Sequence, residues 1–299
     1  MGQSRIYLIL ALGVLAASQS ANIIRIGDAS PIAMTAWRLS LAVIIIAIIG
    51  RVNLKDLWKH PKSLIGASLA GLCLGLHFYT WIFAVQTTTV ANASLVFGTN
   101  PVFVAILERT IFKEKLGPFF YLSAALALAA LFVLLQSGEG FFQLTEEDYL
   151  GISSGVLSSF LFAVYFICGR GVRTHFNTWE YTTVCYGFAA LMSFGVLASI
   201  GLPLLSYSST NFLTFALLAL IPTILGHSLF NYSLRFLPAS YISIATLAEP
   251  VLATVGAYFF WGEYIGVGHL LCFIMTVFSF VFLRCDVNHR KVSAMESKS

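Results

Sequence analysis

The sequence predicts an all-α integral membrane protein: ten transmembrane helices, arranged as two inverted five-helix repeats with both termini cytoplasmic. Three observations predict this architecture: composition, the lengths of the apolar segments, and the way text and charge recur across the centre of the chain. Of 299 residues, 58% are hydrophobic and only 10% charged, with mean hydropathy +0.86. Soluble domains carry about 25% charged residues, so the composition excludes an ordinary soluble fold. The net charge of +4 is spread over many short loops and forms no continuous basic patch, which excludes a nucleic-acid surface and leaves topology as its reading. The cysteines Cys73, Cys168, Cys185, Cys272 and Cys285 show no CxxC or metal-ligand spacing, and no metal or other cofactor is expected.

A helical span needs about 20 apolar residues. Ten segments qualify: 4–25, 31–50, 63–85, 90–112, 117–136, 149–169, 179–201, 212–234, 239–261 and 264–284. They are numbered here as spans 1 to 10. Their runs are long and do not alternate with period two, so helices fit better than strands. Span 1 ends in LAASQSA, 15–21, which has the look of a signal-peptide cleavage site. The apolar run continues through Ile23 and Ile24 and has a counterpart later in the chain, so the expectation is a retained first span.

The two halves repeat. A shift of 149 places Ser94 on Ser243, Pro101 on Pro250, Val102 on Val251, Glu114 on Glu263 and Gly117 on Gly266. A shift of 142 places Gly13-Val14-Leu15 on Gly155-Val156-Leu157, Ala21 on Ala163 and Trp37 on Trp179. The expected units are 1–138 and 146–285, five helices each, followed by a cytoplasmic tail, 286–299. Five is odd, so the second unit enters the membrane upside down. Charge gives an independent test: with the N-terminus inside, fifteen of the seventeen Lys and Arg fall on one side. The exceptions are Arg25 outside and Arg38 within span 2, and the central acidic loop (Glu139, Glu146, Glu147, Asp148) falls outside. By the positive-inside rule both termini are cytoplasmic.

Three stretches carry a resemblance to a known family: TAWRLSLA at 35–42, ANASLVFGTNPVFVAILERTIFKEK at 91–115 and PASYISIATLAEPVLATVGAYFFWGE at 238–263. With them the chain resembles the drug/metabolite transporter superfamily, and specifically its ten-helix EamA-type exporters. The resemblance runs from about Ile6 to Leu283 and is specific for the fold, not for the substrate. It implies a cavity between the halves lined by spans 1, 3, 4, 6, 8 and 9, with spans 5 and 10 peripheral and suited to packing or dimer contacts. Relatives mostly export amino acids and other small metabolites across bacterial inner membranes, and some take solutes up. The inverted-repeat principle by itself also places a solute site near the midplane.

Glu249 is the first candidate residue. It lies inside span 9 with Pro250 directly after, and an ionised carboxylate there costs roughly 3 kcal/mol or more. Pro250 also removes a helix N–H and leaves the Thr246 carbonyl without its usual partner. The carboxyl suits proton coupling or a cationic solute, or it serves the freed backbone near the proline. Its repeat mate is Asn100, polar but not ionisable. His77 and His227 stand 150 apart, one residue off the repeat spacing, and read as facing histidines that bind an anionic or aromatic solute or titrate near neutral pH. Thr80 and Trp81 share the face of His77, and Asn231 that of His227. Gln19 and Asn22 share a face of span 1, where they line a cavity or bridge helices. The expected solute-binding set is therefore His77, Trp81, Asn100, His227, Asn231, Gln19 and Asn22, with Glu249 as the proton-coupling group.

The remaining polar residues read structurally. Arg38 needs a carboxylate or several carbonyls nearby, and a structural ion pair, with Asp28 or Glu180 in view, is favoured over a solute site. Ser153, Ser154, Ser158 and Ser159 favour close helix approach, His269 is structural, and Glu114 and Glu263 fix turns before Gly117 and Gly266. Pro222 and Gly226 bend span 8. Tyr79 and Tyr165 are aromatic walls. The sequons at Asn92 and Asn231 fall inside spans and are false positives.

No GxxxxGK[ST] loop is present and no HExxH motif, so neither direct ATP use nor an enzyme is expected. The expected function is an inner-membrane secondary transporter, exporting a small metabolite by alternating access, with a proton as the candidate coupling ion. Uptake or exchange by the same fold, and a non-transporting scaffold or sensor, are the alternatives. The expected partners are a small-molecule solute and the lipid bilayer, without nucleic acid, in a monomer or homodimer.

Overall fold

The computed structural model describes residues 3–88, 93, 96–113, 116–136, 145–172 and 175–262, with 267, 268, 270, 271, 274, 275, 277–279, 281, 282 and 285. Asn92, Ser94, Glu114, Glu139, Glu263, Gly266, His269 and the tail lie outside the described residues. Among those described there is no strand. Seven helices are long and apolar enough to cross a membrane: Ser4–Ile24, Pro31–Ile49, Pro61–Thr87, Glu146–Gly171, Thr178–Ser199, Ser209–Ser233 and Ala239–Trp261. They correspond to spans 1, 2, 3, 6, 7, 8 and 9. The segments expected as spans 4 and 5 hold the helices Asn100–Ile111 and Pro118–Gln136.

Local chemistry accounts for the helix ends. Proline occupies the first turn at Pro31, Pro61, Pro101 and Pro250, where its missing N–H costs nothing and its fixed φ suits the helix. Capping boxes start spans 6 and 7: Thr145 with Asp148, and Asn177 with Glu180. Each satisfies two N–H groups that a helix start leaves open. Glu180, in view as a partner for Arg38, is thus occupied at a cap. Gly262 ends span 9 at φ 67°, a left-handed conformation that glycine adopts without a Cβ penalty.

Three spans are interrupted. Span 1 breaks at Gln19, between helices Gln3–Ser18 and Ser20–Ile24. Span 8 widens to a π-helix over Ala219–His227, with Pro222 inside it. Pro222 has no N–H to give the Leu218 carbonyl, and the Thr223 hydroxyl donates to that carbonyl instead, at 2.7 Å. Span 9 tightens to a 3₁₀ turn at Thr246–Ala248 just before Glu249-Pro250. There the Glu249 N–H bonds the Thr246 carbonyl, so the acceptor that the sequence left open is satisfied within the turn. Ahead of Asn100-Pro101 a similar turn occurs, with the Thr99 N–H donating to the Val96 carbonyl at 3.1 Å.

Packing interleaves the two halves of the chain. Span 3 packs along spans 6 and 7, span 2 along span 7, and span 1 along the π segment of span 8. One contact requires glycine: a Cβ on Gly71 would lie 2.3 Å from the Cys185 carbonyl oxygen. Another is tight, since a Cβ on Gly226 would lie 3.1 Å from the backbone of Ala17. Aromatic rings fill the middle: Phe78, Phe162, Tyr165, Phe166, Tyr186 and Phe230 are fully buried. The outer faces present Leu8, Leu12, Leu15, Ile44, Ile48 and Leu191, the apolar surface that hydrocarbon requires.

Candidate functional site

A small cavity of about 20 Å³ lies in the centre of the bundle, lined by Ala17, Ser20, His77, Phe78, Trp81, Phe97, Phe162, His227 and Glu249. A water needs about 10–15 Å³, so the space suits about one water. The histidine rings stand 6.0 Å apart between centroids. Phe78 lies 4.8 Å and Phe162 5.4 Å from His227, and Phe162 lies 4.7 Å from His77. Trp81 meets Phe97 at 5.3 Å. The walls are therefore largely aromatic, with two imidazoles, one carboxyl and the Ser20 hydroxyl as polar groups.

Each histidine is held differently. His77 Nδ1 lies 3.0 Å from the Ser158 carbonyl oxygen. A carbonyl can only accept, so this contact assigns the proton to Nδ1. The Ser158 hydroxyl is 2.8 Å from the same nitrogen and also contacts the His77 carbonyl at 3.2 Å. His227 sits at the end of the π segment, and its Nδ1 is buried with no hydrogen-bond partner. Among the described residues, the Glu249 carboxyl has no hydrogen-bond or ion-pair partner.

Of the eight residues expected at the site, the cavity brings together His77, Trp81, His227 and Glu249. The other four make bonds elsewhere. Asn100 donates to the Ser159 carbonyl at 2.8 Å, and Asn231 donates to the hydroxyls of Tyr165 and Tyr186. Gln19 reaches the Leu252 carbonyl at 3.3 Å and Asn22 the Ala253 carbonyl at 2.9 Å, tying span 1 to span 9. Ser154 and Ser158 bond across to span 3, through the Thr80 and His77 carbonyls, which is the close helix approach expected of them. Tyr79 stands away from the cavity, on an apolar groove of about 520 Å³ formed with Leu72, Leu76, Met192 and Val196.

The ion pair expected for Arg38 does not form among the described residues. Asp28 instead accepts from Asn211 Nδ2 at 2.8 Å, because the first loop folds back onto the start of span 8. Arg38 is fully buried. Its Nε and Nη2 both donate to Thr223 Oγ1, at 3.0 and 2.9 Å, and its Cζ lies 3.8 Å over the Phe78 ring. The π segment is what brings Thr223 to it.

Glu108 is a residue that sequence reasoning passed over. It is fully buried near the end of span 4, accepts from Arg170 Nη1 at 2.7 Å, and takes the backbone N–H groups of Ala239 and Ser240 at 2.7 and 3.0 Å. One carboxylate thus joins span 4, the end of span 6 and the start of span 9. Beyond the other end of the cavity, Thr88 bonds Asp148 at 2.6 Å, and Asn211 Oδ1 accepts from the N–H groups of Asp28 and Ala29 at 3.1 Å each. The single hint available was an acidic residue inside the apolar run that precedes Arg109.

A multi-pass helical bundle with a small cavity of mixed aromatic and polar lining between interleaved halves is compatible with a membrane transporter. Comparison with known proteins agrees. The model of the EamA-like transporter family matches residues 4–136 and again 149–285. The chain belongs to the EamA-like transporter family, within the drug/metabolite transporter superfamily, and that family comprises transporters rather than enzymes. Similar proteins include "Uncharacterized transporter YdfC" of Bacillus subtilis (strain 168), 27% identical across 83% of this chain and 79% of the relative. Another is an "Uncharacterized transporter" of Archaeoglobus fulgidus, 25% identical across 70% of this chain and 72% of the relative. A third is "Probable 4-amino-4-deoxy-L-arabinose-phosphoundecaprenol flippase subunit ArnE" of Pseudomonas savastanoi pv. phaseolicola. It is 27% identical, and the match takes 33% of this chain and 95% of the relative. A solved crystal structure superposes with TM-score 0.77 at 18% identity, covering 97% of this chain and 99% of that one. This last likeness speaks to the fold alone.

Proposed function

We propose that this protein is a secondary transporter of the bacterial inner membrane, exporting a small metabolite by alternating access around the central cavity, with Glu249 coupling transport to protons. The observation that carries the reading is the convergence of His77, from the first family match, with His227 and Glu249, from the second, on one cavity. A transporter needs its polar groups at such a place, because a solute reaching them from either side finds the same ligands. Bonded contacts beyond both ends of the cavity, at Glu108 and at Asp28, support an occluded resting state. Ten spans in two inverted repeats (1–138 and 146–285), with both termini cytoplasmic, are part of the same proposal. The two family matches and the sidedness of Lys and Arg support it. Uptake or exchange would use the same groups in the reverse order.

The test is flux by the purified protein in liposomes, against a broad panel of small metabolites, with and without an imposed pH gradient. Gradient-dependent movement of one solute class is the expected result. Absence of flux for every solute, in both directions and with every gradient, would overturn the reading.

A further inference from the structure

We propose that the central site takes a small organic monocarboxylate, with Arg38 and His227 as its carboxylate-binding groups and the surrounding aromatic rings as the seat of its apolar body. This inference rests on the transport reading of the same cavity and adds the chemical class of the solute. It starts from a charge without compensation. A guanidinium stays protonated and offers five N–H donors, and an arginine inside a membrane pairs with a charge or faces a cavity. Arg38 spends Nε and Nη2 on one neutral oxygen, that of Thr223. Its Nη1 is buried without a partner, and no carboxylate of the described residues pairs with it.

His227 supplies an independent second observation. Its Nδ1 is also buried and unpartnered, and it belongs to the cavity wall. Phe78 joins the two groups: its ring lies 3.8 Å from Arg38 Cζ and 4.8 Å from the His227 centroid, and it lines the cavity. Orphaned buried polar groups are rare in native proteins because each forfeits the hydrogen bonds it makes in water. Two of them against the same ring call for an acceptor that enters from the cavity once Phe78 turns aside. A carboxylate fits, because it brings two oxygens to a guanidinium that binds such pairs in plane.

The same surroundings limit the anion. Glu249 stands on the same cavity, and a second negative charge on the solute would be placed against its carboxyl. Trp81, Phe97 and Phe162 offer an apolar, flat-walled seat and no further charged group. At about 20 Å³ the cavity is too small for such a molecule, so binding requires the lining helices to part.

The experiment measures thermal unfolding of the detergent-purified protein with benzoate, benzamide and benzylamine, three probes of one shape and different charge. Benzoate should raise the Tm in a concentration-dependent way, as ligand linkage requires, and the other two should not. Arg38→Gln should abolish the benzoate response, while Arg38→Lys, which keeps the charge and loses the planar fork, should weaken apparent binding about tenfold, the worth of one charge-assisted hydrogen bond. If Arg38→Gln does not fold, His227→Gln carries the test, with about tenfold weaker benzoate binding expected. No response to benzoate, an equal response to benzamide or benzylamine, or an undiminished benzoate response in these variants would overturn the proposal. The readout is binding, so liposomes that move no solute would sink the transport reading and leave a positive benzoate result standing. Transport of amines that is indifferent to Arg38→Gln would do the reverse.

Discussion

The Glu108 carboxylate and the Arg170 guanidinium meet at 2.7 Å, one wholly buried and the other 26% exposed. Glu108 also caps the start of span 9 through Ala239 and Ser240. Removing one member of a buried pair costs about 3–5 kcal/mol because it strands the other. Arg170 is partly solvated, which moves the expectation to the lower end. Glu108→Ala should therefore lose about 3 kcal/mol, seen as a large drop in Tm of the detergent-solubilised protein. Glu108→Gln keeps an acceptor for one N–H and should fall between the wild type and Ala. Equal stability of all three proteins would remove Glu108 from the framework.

Thr223 serves two neighbours, accepting from Arg38 and donating to the Leu218 carbonyl that Pro222 leaves open. Thr223→Val keeps the shape and deletes all three of these bonds, two from Arg38 and one to Leu218. A hydrogen bond to a charged group is worth about 1.5–3 kcal/mol, and the variant should lose at least that in thermal or denaturant unfolding. Thr182 is buried too but only bonds back within its own helix, so Thr182→Val is the matched control and should lose clearly less than Thr223→Val.

Two glycines in contacting helices should respond in opposite directions. A Cβ on Gly71 would sit 2.3 Å from the backbone oxygen of Cys185, whereas one on Gly195 meets nothing within 4 Å. Gly71→Ala forces two helices apart, and overpacking of this kind costs about 1–3 kcal/mol. Gly195→Ala removes only the backbone freedom of glycine in a helix and should stabilise by up to about 1 kcal/mol. Unfolding of the two variants side by side gives the comparison, and destabilisation by Gly195→Ala would show that span 7 packs otherwise.

Glu249→Gln deletes the one carboxyl on the cavity wall while keeping its volume. Since no partner among the described residues depends on it, the variant should fold normally. It should lose gradient-driven flux in liposomes while solute exchange without a gradient continues. A poorly folded variant, or one with unchanged gradient dependence, would remove Glu249 from coupling.

Much of this was legible in the sequence, for physical reasons. Apolar length marks the spans, and prolines at 31, 61, 101 and 250 mark where helices start or restart. The expectation that His77 and His227 face each other comes from their spacing in the two halves, and their rings do stand 6.0 Å apart. Hydrogen-bond partners were less accessible. Gln19 and Asn22 do share a face, as their i, i+3 spacing requires, but the sequence could not say whether that face meets a cavity or the Leu252 and Ala253 carbonyls. Arg38 defeated the pairing rule because its partner is a hydroxyl 185 residues away. Glu108 was missed because an acid beside Arg109 near a span end looks like surface charge, and only the fold brings the start of span 9 onto it.

The wide turn of span 8 decides where the side chain at its end arrives. A π turn bonds i to i+5 where an α turn bonds i to i+4, so Ala219–His227 stores about one residue more than an unbroken helix would. Span 3, which supplies the facing His77, runs as continuous α-helix from Pro61 to Thr87. In span 8 the coil loosens instead of breaking, so the helix takes the extra link up internally and the imidazole at the end of the wide turn still arrives against Phe78, Phe162 and His77.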